Sequence, residues 1–137
     1  MGISPLMKLL LDTHIWIWSA LEPERISRRV ARALARQENQ LWLSPMSVWE
    51  LIMLVQKGRV ELHEDVLTWA RRSLEQLRLC EAPLTTEVAL ESGTLSLTHS
   101  DPADLLIAAT AKVFDLTLVT ADEKLIHAPG IKVLANR

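Results

Sequence analysis

The sequence is short of several things, and each shortage narrows what the chain can be. It has a single cysteine, Cys80, so no internal disulfide can form, and the plain reading of that thiol is a small buried hydrophobe. A reducing compartment suits it, and a cytoplasmic location is expected. No apolar run approaches the roughly 20 residues needed to cross a bilayer, so no membrane span is expected. The opening "MGISPLMKLLLD" lacks the long apolar stretch and cleavage pattern of a secretory signal, because Asp12 interrupts it. Neither sign of charge dominates. Fifteen Lys and Arg against 17 Asp and Glu give a formal charge of −2. That excludes a basic nucleic-acid coat protein, but not an enzyme that meets phosphates through metal ions. None of the four histidines, His14, His63, His99 and His127, pairs with cysteine or another histidine at zinc-ligand spacing. No serine sits on a nucleophile-elbow pattern. Repeats, low-complexity tracts and linkers are missing too. The 137 residues are therefore read as one domain, 1–137, with residues 1–6 as an extension ahead of Met7.

What is present is a core. Hydrophobic residues make up 49% of the chain, enough to exclude disorder. "KLLLD" (8–12), "QLWLS" (40–44), "RLCEAPL" (78–84), "LTLVT" (116–120) and "IKVL" (131–134) read as short buried strands. Between them the spacing predicts helices over 13–21, over 27–39 from an N-cap at Ser27, over 47–58 from Ser47 to Gly58, and over 63–77, 85–95 and 101–114. A last helical turn follows at "ADEKLIH". Strands alternating with helices predict an α/β fold: a central parallel sheet of about four to five short strands, with helices on both faces. In such sheets ligand sites gather at the carboxyl ends of the strands.

Five acids fall near those ends, and each has an ordinary explanation. Asp12 ends the first strand and can cap the next helix. Glu50 is N3 of a capping box opened by Ser47. In "DPAD", Asp101 is a natural N-cap, Pro102 suits N1, and Asp104 is N3, near the positive end of the helix dipole. Asp122 falls in the first turn of a helix capped by Thr120. Their coincidence is less ordinary. On a parallel sheet Asp12, Glu50, Asp104 and Asp122 share one edge, and carboxylates a few Å apart raise one another's pKa or require a counter-charge. A hard divalent cation is the natural neutraliser. Mg²⁺ takes one or two carboxylates and fills its shell with waters and substrate phosphate. Ile107, Ala108 and Ala111 continue the helical face of Asp104, and the small alanines would let that helix pack close to the sheet.

Taken together, "LLLDT", "SPMSVWE", "DPADLLIAATA" and "LVTAD", in this order and at these spacings, resemble the PIN domain. The closer likeness is to the VapC-like ribonuclease toxins of toxin–antitoxin pairs, and it runs from about Lys8 to Val133. The resemblance implies a PIN-like α/β/α sandwich with an acidic pocket at one sheet edge. It implies hydrolysis of RNA phosphodiester bonds with Mg²⁺, or Mn²⁺ in its place. It carries the family's four catalytic, metal-binding acids onto Asp12, Glu50, Asp104 and Asp122. Thr13 and Thr120 become accompanying hydroxyls, and Asp101 a cap or supporting acid. Leu105 stands where many relatives have a polar residue, so no substrate contact is expected from it. An antitoxin partner and a homodimer are also implied.

Five tryptophans stand beside one phenylalanine and no tyrosine. Trp16 and Trp18, and Trp49 in "VWELIMLV", lie on helices that are apolar all round, which a small domain cannot bury completely. We therefore expect these three to line a hydrophobic groove for a partner's helix. Trp42 and Trp69 are expected in the core. Arg25, Arg28, Arg29, Arg32 and Arg36 read first as a solvated helix face, and second as a track for phosphates or an acidic partner. For His14 and His99, near the acidic edge, a surface or capping role is preferred to a substrate contact. Two other functions stay open. One is a different Mg²⁺-dependent phosphoryl hydrolase, such as a DNA nuclease or a phosphatase. The other is a non-enzymatic protein-binding module whose acids only cap helices.

Overall fold

Three leucines in a row, Leu9 to Leu11, are fully buried, so the strand they form must be covered on both faces. The computed structural model describes residues 6–95, 97 and 101–137. His99, weighed above, and residues 1–5 lie outside the described residues. Among the described residues five strands form one sheet: β1 (Lys8–Leu11), β2 (Gln40–Leu43), β3 (Cys80–Glu81), β4 (Thr117–Thr120) and β5 (Val133–Ala135). Every neighbouring pair is parallel, in the order β3-β2-β1-β4-β5.

Alternation along the strands divides the core in two. Leu9, Leu11, Leu41, Leu43 and Val119 face one layer. They meet α1 (Thr13–Leu21), α2 (Arg28–Ala35), α3 (Pro45–Gln56) and α4 (Val66–Gln76) through Ile15, Trp16, Val30, Leu51 and Trp69. Leu10 and Leu118 face the other layer. They meet α6 (Pro102–Val113) and α7 (Glu123–Ile126) through Ile107, Ala108, Ala111 and Leu125, while α5 (Thr86–Ser92) packs along α6. This is the expected α/β/α sandwich. From β1 the chain builds outward through β2 and β3, then returns to lay β4 and β5 on the opposite side. The β1–β4 seam is thus the point where strand order reverses, and a crevice opens at the carboxyl ends of strands at such a point.

Three local expectations need correction. Helix α3 starts earlier than the Ser47 reading placed it. Ser44 is its N-cap, accepting from the Met46 N–H at 3.0 Å, and Pro45 takes the first turn, where it needs no N–H partner. Glu50 therefore lies well inside the helix rather than in a capping box. The N-cap of α7 is Asp122, not Thr120. Trp16 lines no partner groove: it is fully buried, donates its Nε1–H to Ser73 Oγ at 2.9 Å, and meets the Trp69 ring at 5.5 Å between centroids. A helix apolar all round does not declare which face is inward, and here Thr13, Ile15, Trp16 and Ile17 are the buried positions. The arginines are exposed, as the solvated-face reading had it, with Arg28, Arg29 and Arg32 on α2 and Arg36 at its C-cap. Arg25 sits in a single 3-10 turn before α2, Arg29 donates to the Ala135 carbonyl at 2.9 Å, and Arg36 pairs with Glu38 at 3.5 Å.

Trp16→Ala is expected to lower unfolding free energy by about 3–5 kcal/mol, because it opens a cavity against Trp69 and orphans the Ser73 hydroxyl. Trp49→Ala, at an exposed residue, should stay within about 0.5 kcal/mol. Urea unfolding of the two variants beside the wild type measures both.

Candidate active site

Asp12 follows β1 directly and serves as the N-cap of α1. Its carboxylate is almost completely buried and is held at both oxygens: Oδ1 accepts from Thr13 N–H at 2.9 Å and Oδ2 from the Thr120 hydroxyl at 2.6 Å. The Thr120 hydroxyl accepts in turn from the Asp122 N–H at 3.0 Å. One threonine at the end of β4 therefore couples the first acid to the last. Asp122 uses Oδ1 to cap α7 through Lys124 N–H at 2.9 Å.

A second chain of hydroxyls fixes Glu50. Thr13 Oγ1 stands 2.5 Å from Glu50 Oε1 and 2.8 Å from Ser47 Oγ. Thr13 has one hydroxyl proton and a carboxylate can only accept, so Thr13 donates to Glu50 and Ser47 donates to Thr13. Ser47, fully buried one turn before Glu50 on α3, is the functional residue that sequence reasoning misplaced as a cap. The signal was present in the three-residue spacing of Ser47 and Glu50, which puts both on one helix face.

Asp101 and Asp104 enter from α6. Asp101 Oδ1 accepts from Asp104 N–H at 2.8 Å, so it caps the helix as expected. Asp12, Glu50, Asp101, Asp104 and Asp122 all line one cleft of about 380 Å³, with His14 and Trp18 at its rim. The four acids expected at one sheet edge are thus brought together there, and Asp101, expected only as a cap or supporting acid, lines the cleft with them. No lysine or arginine is among the described residues lining it. The electrostatic result falls on Asp104. Burial, then repulsion from Asp101, Asp12, Asp122 and Glu50, raises its carboxyl from 3.8 to about 7. Burial also raises Asp12, against the hydrogen bonds from Thr120 and Thr13, and raises Glu50, against the hydrogen bond from Thr13. Among the described residues no three acid, cysteine or histidine groups close on a point that could hold an ion unaided. A hard cation that keeps most of its waters needs only one or two of these oxygens, and an all-carboxylate set under mutual repulsion has the chemistry to hold one.

Because the folded pKa of Asp104 lies above its unfolded value, the native state binds the extra proton between about pH 4 and pH 7. Its contribution to stability is therefore lost as pH rises through that window. In EDTA, Asp104→Asn should be more stable than wild type at pH 8, by on the order of 1–2 kcal/mol. The full shift would give more, but the side chain is partly exposed. The gap should close near pH 4, and urea midpoints at the two pH values read it directly.

Comparison with known proteins agrees with this architecture. The sequence matches the PIN domain family over residues 9–131. It is 34% identical over 120 residues to Ribonuclease VapC22 of Mycobacterium tuberculosis, covering 85% of this chain and 88% of that protein. The fold resembles VapBC2 from Rickettsia felis bound to a DNA fragment from its promoter, with a TM-score of 0.74 and 22% identity over 94% of this chain and 98% of that one. It also resembles a toxin–antitoxin complex from Klebsiella pneumoniae, with a TM-score of 0.66 and 20% identity over 94% and 98% of the two chains.

Proposed function

The chain belongs to the PIN-domain family, and from that premise we propose that it is a metal-dependent endoribonuclease, the toxin of a toxin–antitoxin pair, working at the acidic cleft. The observation that carries the reading is the gathering of five carboxylates at the β1–β4 seam with one of them driven to about 7. Acids that served only to cap helices would have no reason to meet in one cleft, and neither Glu50 nor Asp104 is a cap. The name of the mycobacterial relative, a ribonuclease, supports RNA as the substrate.

In this reading Asp12, Glu50, Asp104 and Asp122 would hold one or two Mg²⁺ ions, or Mn²⁺ in their place. When bound, the cation lowers the pKa of a water and offsets the charge that develops on the phosphoryl oxygens. The residues do the positioning. Thr13 and Thr120 lock the Asp12 carboxylate, so it presents a fixed pair of oxygens. Thr13, steadied by Ser47, aims Glu50. Asp101 holds the first turn of α6 and with it the backbone of Asp104. Asp104, whose carboxyl is pushed up to about 7 by burial and the neighbouring acids, would be returned to the carboxylate form by a bound cation and serve as its ligand. In-line attack on phosphorus expels the 3′-oxygen and leaves 5′-phosphate and 3′-hydroxyl ends.

The antitoxin partner is supported by the toxin–antitoxin complex among the structural relatives. Its seat is better sought away from Trp16. An apolar groove of about 540 Å³ lies between α1, α2 and α4, bordered by Ala20, Ile26, Ala31, Leu34 and Leu77. Such a groove suits the apolar face of a partner helix. Among the described residues no helix is long and apolar enough to cross a membrane. We place the chain in the cytoplasm, as a homodimer.

Cleavage of a mixed panel of RNA and DNA tests the reading. RNA should be cut with Mg²⁺ or Mn²⁺ and left intact in EDTA. Asp12→Asn and Asp104→Asn should each lower the rate by more than about 100-fold with the circular dichroism spectrum unchanged, and Thr13→Val by roughly 10- to 100-fold. Full activity in EDTA, or equal cutting of DNA, would contradict it.

A further inference from the structure

The acidic cleft does not end at its carboxylates. His14, Trp18, Glu50 and Asp101 also line a second cleft, of about 500 Å³, that runs between α1 and α3 to the turn after α3. Along it the charge becomes mixed. Glu22 and Arg25 line it as an ion pair, Lys57 and Arg59 bring positive charge at its far end, and Trp18 and Trp49 bring indole faces. The Arg25 guanidinium lies 4.0 Å over the Trp18 ring, forming a stacked cationic wall. Trp49 is 53% exposed, although its neighbours Val48 and Leu51 pack into the core. Among the described residues neither Lys57 nor Arg59 forms an ion pair, whereas Arg25, Arg36 and Arg72 all do. The turn that carries them is fixed. Gly58, at φ +71°, closes α3 with its N–H on the Val55 carbonyl at 3.1 Å and the Arg59 N–H on the Leu54 carbonyl at 2.9 Å.

Five carboxylates repel a polyanion, and unpaired positive charge beside the cleft adds to what a bound cation would offset. Two unpaired cations beside an exposed indole also have the composition of a site for unpaired nucleotides. Every base has a face to stack, and only an unpaired one can turn it outward. We propose that the second cleft is a nucleotide subsite of the same enzyme: an unpaired base flanking the scissile phosphodiester stacks on Trp49, and the phosphate beyond it is held by Lys57 and Arg59. This rests on the ribonuclease reading above and extends it, making the local substrate single-stranded and Trp49 a positioning residue.

The test uses the full chain, Trp49→Ala, Trp49→Phe and the double variant Lys57→Gln/Arg59→Gln. Each is assayed for cleavage of short RNAs that present the same segment single-stranded or in a duplex. Each is also combined with Asp104→Asn, so that binding of the uncut single strand can be measured by fluorescence anisotropy. Trp49→Ala should weaken binding about tenfold or more and raise KM more than it lowers kcat, and Trp49→Phe should recover most of the loss. The double variant should flatten the dependence of log affinity on log salt by about 0.7, the value for one single-strand phosphate. If the wild type cuts RNA while Trp49→Ala binds and cuts it unchanged, or if duplex is cut as well as single strand, the subsite is overturned and the ribonuclease stands. If the wild type neither binds nor cuts any RNA, the ribonuclease reading falls and takes the subsite with it. If Trp49→Ala alters the sedimentation of the chain and leaves RNA binding intact, the cleft belongs to a protein contact and the subsite is likewise overturned.

Discussion

The carboxylate of Asp12 is the hinge on which the arrangement turns. It is almost fully buried, and tolerable there only because both oxygens accept hydrogen bonds, one from the backbone that starts α1 and one from the end of β4. The second of them ties β1 to β4 at their carboxyl ends, beside the last backbone bond of the pair, from the Asp12 N–H to the Val119 carbonyl. The two bonds also set the threonines: Thr120 then receives the Asp122 N–H, and Thr13 turns its own hydroxyl to Glu50. Two acids from distant parts of the chain, Glu50 and Asp122, are thus fixed relative to one buried group. Only α6 delivers its acids by a separate route, through the cap at Asp101.

Such an edge is electrostatically unfavourable by construction. Hydroxyl donors and helix termini recover part of the cost, and the remainder is expressed in the raised pKa of Asp104 and, in the same direction, of Asp12 and Glu50. The alanines of α6 explain why that residue bears it. Ala108 and Ala111 are small enough to bring the helix hard against the sheet, which carries Asp104 toward the other four carboxylates. Core packing on the far face and charge crowding at the edge are two ends of one helix placement.

Much of this was legible in the residues, and the failures have physical causes. The strands announced themselves because a sheet covered on both faces needs unbroken apolar runs, and "KLLL" and "LTLV" supply them. The cap at Asp101 was legible because N-cap, N1 and N3 signals agree within four residues. At α3 two signals competed. Ser44 with Pro45 and Ser47 with Glu50 both satisfy helix-start rules, and proline's exclusion from helix interiors favours the earlier start. The inward face of α1 was not legible, since a helix with apolar residues on every side carries no directional signal, and Trp16 was misplaced for that reason. The hydroxyl bridge from Thr13 to Ser47 and Glu50 spans 34 and 37 residues, a distance over which local pattern says nothing.

The bond between Thr120 and Asp12 joins residues 108 apart in the chain. A growing polypeptide makes Asp12 early and then synthesises β2, β3 and six α-helices before the strand that completes its surroundings exists. Until Thr120 emerges, the central strand lacks its second neighbour and the first acid lacks one of its two donors. Contacts of such long separation form late and slowly, because the loop they close must be ordered first. The acidic edge is therefore assembled as a whole or not at all, and a chain interrupted before β4 carries the aspartate without the pocket.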